Sequence, residues 1–333
     1  MKALIKKLVE AWGPSGYEHQ VRALIRAEVE PYVDEITVDP LGNLICRVGS
    51  GGKKIMVAAH MDEIGVMPLF TEPKSGYLRF TGIGGLLQTT LIGGRVRFED
   101  GTIGVISGHD YFGAGRTAVP DLDMLFIDVS MGGDEENVVQ PGSPGVFWRE
   151  MEERGTRLIA KSMDDRVGCA IAIETLRRLN KQTENTVYVV FTVQEEVGLR
   201  GARTAAYGVT PDIGIALDVT STGDTLKNSK MAVKLGGGAA IKLHDVGLVV
   251  PPAIRNWMIA RAEADGIPYQ LELLTMGSTD AAAIQVAGVG VPSGCISIPC
   301  RYVHTASETV DVRDVEASVA LLTGLLANPV ELV

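Results

Sequence analysis

The sequence predicts an α/β protein into which a small all-β domain has been inserted. Three observations carry this. Continuous apolar runs at residues 54–59 and 187–193 read as strands buried on both faces, because they do not alternate. Amphipathic helical spacing accompanies such runs near both ends of the chain. Between residues 68 and 160 the helical period disappears, and short alternating runs punctuated by Gly and Pro replace it. The expected organisation is an α/β domain over 1–67 and 161–333 and a barrel-like β domain over 68–160. A chain of 333 residues has room for both.

In chain order, Leu4, Ile5, Leu8 and Val9 predict a helix over 2–11, which Gly13-Pro14-Ser15-Gly16 ends. Val21, Leu24, Ile25 and Val29 predict a second helix over 18–30, stopped by Pro31. Strands at 36–38 and 44–46 flank the turn Asp39-Pro40-Leu41-Gly42-Asn43, and a third runs from Lys54 to Asp62. Inside the insert, strands are expected at 77–80, 95–98, 102–106 and 124–129. A helix then opens at Ser162-Met163-Asp164-Asp165-Arg166 and runs through Leu179. Further strands are expected at 187–193, 213–218, 269–273 and 295–298, with strand and turn structure over 229–243. Helices are expected at 199–207, 252–265 with Pro252 near its start, 279–287 capped by Ser278 or Thr279, and 312–327.

Hydrophobic residues make up 46% and charged residues 22%, an ordinary globular composition. The net charge of −10 argues against a nucleic-acid partner. No run of about 18 apolar residues and no signal-like start occurs, so a cytoplasmic protein without a membrane partner is expected. Cys46, Cys169, Cys295 and Cys300 form no CxxC pattern, so no disulfide framework is expected, and Cys295 and Cys300, which flank a strand-like run, read as small core residues.

Chemistry gathers at Phe191-Thr192-Val193-Gln194-Glu195-Glu196-Val197-Gly198, where a buried strand ends in two carboxylates. Buried acids need a cationic partner, and strand ends of α/β sheets are where ligands bind. His60, Asp164, Glu196, Asp218 and His304 share one description: a metal-ligating side chain at a strand end or helix start. Two histidines and three carboxylates exceed one tetrahedral ion and suit two divalent ions bridged by a carboxylate. Either Asp164 or Asp165 is placed to bridge. Asp62 can accept the second imidazole N–H of His60, and Glu195 can act as general base. Each residue also has a structural reading. A lone His at a strand end is commonly a polar cap, Asp164-Asp165 can cap a helix, and Asp218 can open a turn. It is the coincidence of five that favours metal. His19, His109 and His244 lack this context and read as structural. Arg166 and Arg301 fit substrate binding or salt bridges equally. Gly82-Ile83-Gly84-Gly85 precedes no helix, so a nucleotide site is not supported, and no Gly-x-Ser-x-Gly elbow occurs.

Five motifs in order carry a family resemblance. They are Ala59-His60-Met61-Asp62-Glu63-Ile64-Gly65, Met163-Asp164-Asp165-Arg166-Val167-Gly168, Gln194-Glu195-Glu196-Val197-Gly198-Leu199-Arg200-Gly201-Ala202, Ala216-Leu217-Asp218 and Arg301-Tyr302-Val303-His304-Thr305. Together they resemble the tetrahedral aminopeptidase family of dinuclear metallopeptidases, which includes proteins called glutamyl aminopeptidase or endoglucanase M. The resemblance spans residues 2–327. It implies a three-layer, mixed-sheet, zinc-peptidase-like catalytic domain and the removal of N-terminal residues from peptides. It implies two divalent ions (zinc or cobalt, or manganese), one on His60 and Asp218, the other on Glu196 and His304. Asp164 would bridge them through a cis peptide bond to Asp165, with Glu195 as base and Asp62 as orienter. It also implies dimers that build a dodecamer through the insert. Acidic, basic and neutral preferences all occur among look-alikes, and the family's Gly-Thr-Asp turn appears here as Gly277-Ser278-Thr279-Asp280. Two other classes compete: a deacylase or glycosidase on the same scaffold, and a metal-free scaffolding protein.

Overall fold

The computed structural model describes residues 1–108, 120–130, 139–226 and 231–332. His109 lies outside them. The chain opens with α1 (Lys2–Val9) and α2 (His19–Val29), then β1 (Glu35–Val38), β2 (Leu44–Val48) and β3 (Lys54–His60). Next come β4 (Gly65–Thr71), β5 (Leu78–Ile83), β6 (Arg95–Phe98), β7 (Ile103–Gly108), β8 (Leu125–Asp128) and β9 (Gly145–Phe147). A hairpin of β10 (Glu152–Arg154) and β11 (Arg157–Ala160) leads to α3 (Met163–Leu179), β12 (Thr186–Thr192), α4 (Arg200–Val209) and β13 (Ile213–Thr220). The chain closes with β14 (Ala239–His244), α5 (Pro252–Ala264), β15 (Tyr269–Leu273), α6 (Asp280–Gln285), β16 (Ser293–Arg301), β17 (Glu308–Asp311) and α7 (Val312–Ala327).

Eleven strands form one mixed sheet, with the order β1-β2-β12-β3-β13-β16-β17-β11-β10 and β14-β15 attached to β16. Its centre, β12-β3-β13-β16, is parallel. These strands are apolar throughout because helices cover both faces. Ile55, Val57 and Ala59 pack into the core under α1, α2, α3, α5 and α7, whereas Met56 and Ala58 face the cluster under α4 and α6. This is the expected three-layer, mixed-sheet α/β architecture. Among the described residues, no helix is long and apolar enough to cross a membrane.

Strands β4-β5-β8-β7-β6-β9 close into an antiparallel barrel with its own core, including Val66, Phe80, Val96 and Ile127. The β texture expected from residue 68 therefore begins at Gly65, and the barrel ends at Phe147. The β10-β11 hairpin joins the main sheet by pairing with β17. The strands at β10, β11 and β17 were not expected, since three- and four-residue segments carry too little periodicity. In the 229–243 stretch, among the described residues from 231 on, a regular strand begins at Ala239. Helix α3 also differs from expectation. Asp164 (φ −74°, ψ 106°) and Asp165 (φ −118°, ψ 38°) are not helical, so regular helix follows them. Thr279 occupies the cap position of α6 without a side-chain capping bond.

Arg166 is fully buried and donates to the carbonyls of Leu8 at 2.8 Å and Gly13 at 3.0 Å, and to Glu63 at 3.3 Å. It thus satisfies main-chain acceptors at the end of α1 and ties that helix to α3. Arg301 pairs with Asp224 at 2.8 Å. Both arginines take the salt-bridge reading. The four cysteines are buried and free, as expected.

Candidate active site

The polar residues singled out in the sequence converge where the parallel strands end. His60 is the last residue of β3, Asp218 lies near the end of β13, and Glu195-Glu196 follow β12. His304 follows β16, and Asp164 stands at the start of α3. His60 Nε2 is 2.9 Å from Asp164 Oδ1, and 4.0 Å from both Asp218 Oδ1 and Glu195 Oε2. His304 Nε2 is 3.2 Å from Glu196 Oε2 and 3.4 Å from Asp164 Oδ2. Two sets of donor atoms result, His60-Asp164-Asp218 and Asp164-Glu196-His304, each within 4.8 Å. They share Asp164, which turns one oxygen to each histidine. Asp165 belongs to neither set: Oδ1 accepts from Gly168 N at 3.1 Å and buried Oδ2 has no partner. The Asp164–Asp165 peptide bond is cis.

The electrostatics favour cations. Among the described residues, no Lys or Arg lies within 4.0 Å of Asp164, Glu195, Glu196 or Asp218; only the two imidazoles do. Burial pushes the Asp218 carboxyl well up, and the Asp164 charge pushes it further. Burial also pushes Glu195 well up; His60 opposes this, while Asp218 and Asp280 reinforce it. Burial lowers the His304 imidazole, but bonds to Asp164 and Glu196 outweigh it and lift it to about 12. Burial would raise Asp164, yet His304 and His60 hold it below the usual carboxylate range. Glu196 Oε1 is buried without a partner. Crowded oxygen donors and imidazoles with few fixed cations are the donor chemistry of divalent ions such as zinc.

A surrounding shell sets these side chains. The Asp62 carboxylate accepts from Glu195 N at 3.0 Å, Glu196 N at 3.2 Å and Ser15 Oγ at 2.6 Å. His60 Nδ1 lies 3.2 Å from the Asp62 carbonyl and 3.4 Å from its Oδ1. Asp62 therefore supports the Glu195-Glu196 backbone as well as His60. Glu18 accepts from Gln194 N at 3.1 Å and Gly16 N at 2.7 Å. Ser15 and Glu18 were missed because nothing local links residues 15–18 to a turn near 194.

The Gly-rich turn of the barrel also reaches the site. His304 Nδ1 donates to the Gly85 carbonyl at 2.8 Å, which leaves Nε2 facing Glu196 and Asp164. At Gly84 (φ +76°), a Cβ would sit 2.8 Å from Ile64 Cγ2 and 3.2 Å from Glu196 Oε2. Gly84→Ala is expected to cost about 1–3 kcal/mol of stability through the left-handed backbone alone. Urea unfolding would read this; an unchanged midpoint would refute it.

Residues 42–321 match the M42 glutamyl aminopeptidase family. The chain belongs to this family. A relative in Acetivibrio thermocellus, provisionally named an aminopeptidase, is 44% identical over 321 residues, covering 96% of each chain. Aminopeptidase APDkam598 of Desulfurococcus kamchatkensis superposes with a TM-score of 0.91 at 38% identity, covering 98% of this chain and 94% of that one. The TET1 peptidase of Pyrococcus horikoshii, described as assembling into a tetrahedron or a large octahedral shell, gives 0.86 at 31% identity, covering 98% of each chain. The resemblance read from five motifs is thus borne out, and so is the fold. The family and its named relatives support a peptide hydrolase of the aminopeptidase class.

Proposed function

We propose that this chain is a two-metal aminopeptidase that releases neutral residues from the N-termini of peptides. The observation that carries the metal reading is the pair of donor sets sharing Asp164. His60 and Asp218 would hold one divalent ion, Glu196 and His304 the other, and Asp164 both. Zinc or cobalt fits the mixed imidazole and carboxylate donors, and manganese is the third choice. When bound, such ions supply Lewis acidity that acidifies water and polarises a carbonyl. The chain's own residues do the rest. Glu195 takes the proton of the attacking water and returns it to the leaving amine. Asp62 fixes the direction of Glu195 by holding its backbone N–H, and steadies the His60 ring. The apolar sheet below and the barrel turn above limit water.

The substrate class follows from a cavity of about 500 Å³ beside the site. Its walls continue from the segments that carry Asp218 and His304: Ser221 and Thr222 on one side, Arg301 and Tyr302 on the other. Met231, Leu273, Leu274 and Met276 form the apolar part of a mixed lining that also holds Thr225, Thr275 and Cys300. Among the described lining residues Arg301 bears the only charge, and Asp224 neutralises it at 2.8 Å. Leu273, Met276 and Tyr302 are more than half exposed, so a charged side chain entering there would lose part of its hydration and find no unpaired countercharge among the described lining residues. Leucine and methionine amides are therefore expected to exceed lysine and glutamate amides in kcat/KM by about 10- to 100-fold, or about 1.4–2.7 kcal/mol. The test is an aminoacyl-amide panel run on metal-free protein reloaded with zinc, cobalt or manganese. A preference for a charged residue would overturn the substrate class. Turnover without any divalent ion would overturn the metal reading.

Further parts of the reading rest on other support. The architecture shared with TET1 peptidase structures, one described as a dodecamer and one as a tetrahedron or octahedral shell, supports a homo-oligomer, and a dodecamer built from dimers is the assembly proposed. Four buried free thiols fit a reducing, cytoplasmic location. The proposed division of labour assigns catalysis to 1–67 and 161–333, and assembly and access to 68–160. Peptides are the partners proposed, and the net charge of −10 argues against nucleic acid.

A further inference from the structure

We propose that Glu308 is the positioning residue that sets the geometry of the donor set containing His304. Glu308 opens β17 and is buried, opposite Ala160 of β11. Its two oxygens divide between two chain segments. Oε1 accepts from the backbone N–H of His304 at 2.8 Å, and Oε2 accepts from the backbone N–H of Asp164 at 3.0 Å. One carboxylate thus clamps together the residue shared by both donor sets and a histidine of the second set.

Both clients need such a clamp. Tyr302 (φ +61°) and His304 (φ +63°) are left-handed, a region that side chains with a Cβ disfavour. This bend carries the His304 ring from the end of β16 toward Asp164. Asp164 has extended backbone ahead of the regular part of α3, so no helical bond fixes its N–H. A carboxylate behind the donor residues, with one oxygen on each backbone N–H, meets both demands. Gln keeps one acceptor and turns an NH₂ group toward the other N–H, so Glu308→Gln breaks the clamp with little change of shape. Glu308→Asp keeps the charge but is too short to reach both segments.

The inference rests on the two-metal reading, and its consequence is asymmetric. The set Asp164-Glu196-His304 depends on Glu308 through two of its members; His60-Asp164-Asp218 depends through one. Calorimetric titration of metal-free protein with zinc reads each site, with kcat and KM followed in parallel. In Glu308→Gln the Asp164-Glu196-His304 site is expected to lose about 10- to 100-fold in affinity and the His60-Asp164-Asp218 site much less. The lost kcat should return at excess zinc, a recovery that simple destabilisation would not show. If Glu308→Gln does not fold, Glu308→Asp is expected to show the same asymmetric loss. Wild-type affinities at both sites in the folded variant would overturn the proposal. Failure of the wild-type protein to bind two ions would instead overturn the metal reading beneath it.

Discussion

Glu195→Gln is expected to retain both metal ions and lose about 10²- to 10⁴-fold in kcat, the range general-base catalysis supplies. Glu195 stands 4.0 Å from His60 Nε2, close to the first donor set without belonging to it. Its backbone N–H is pinned to Asp62, so its direction is set from below. Burial is the largest influence on its carboxyl and pushes it well up. A base raised above its ordinary value holds an abstracted proton better than an ordinary glutamate, and can hand it on to an amine. Gln keeps the shape and removes the proton-accepting oxygen. Atomic absorption on the purified variant separates the outcomes. Full occupancy with full turnover would remove Glu195 from the mechanism. Loss of one ion would make it a ligand.

Much of this was legible because the fold concentrates signal at strand ends. The runs ending at His60 and Thr192 are uninterrupted and apolar, so their polar successors stood out. The sequence could not divide the labour between Glu195 and Glu196. Adjacent residues diverge, and only tertiary contacts distinguish a carboxylate 3.2 Å from His304 from one 4.0 Å from His60. Nor could it choose between Asp164 and Asp165; the backbone turn at that pair sends Asp165 into the core. The supporting groups were least visible. Gly85 acts through a carbonyl that every residue has, and Glu18 meets Gln194 across 176 positions. The Gly82–Gly85 turn could have been suspected from its density of glycines, but not its destination. The edge hairpin β10-β11 was hidden by its length, since each strand gives at most two turns of the alternating pattern.

The shared carboxylate predicts the sharpest result. Asp164→Ala is expected to reduce bound zinc from two ions per chain to one or none at micromolar metal, with activity down more than about 10³-fold. His304→Ala should spare the His60 set, since His304 belongs to the other one. The difference arises because Asp164 sits in both sets. Its removal strips an anionic ligand from each and leaves His60 and His304 without their common partner. The same pairing fixes how loading depends on pH. Burial alone would lower the His60 imidazole, but bonds to Asp164 and Asp62 hold it well above its ordinary value, and His304 rises to about 12. Asp218 is also held well up, first by burial. The metal-free protein therefore holds protons on these groups more tightly than free side chains do, and those protons must leave as ions bind. Affinity is then expected to fall as pH falls, and zinc addition to a weakly buffered solution should release protons. In Asp164→Ala the imidazoles lose the carboxylate that holds their protons, so whatever metal still binds should release fewer. Equal proton release by the wild type and the variant would show that Asp164 does not hold the histidines in their charged form, and the bridging assignment would lose its electrostatic basis.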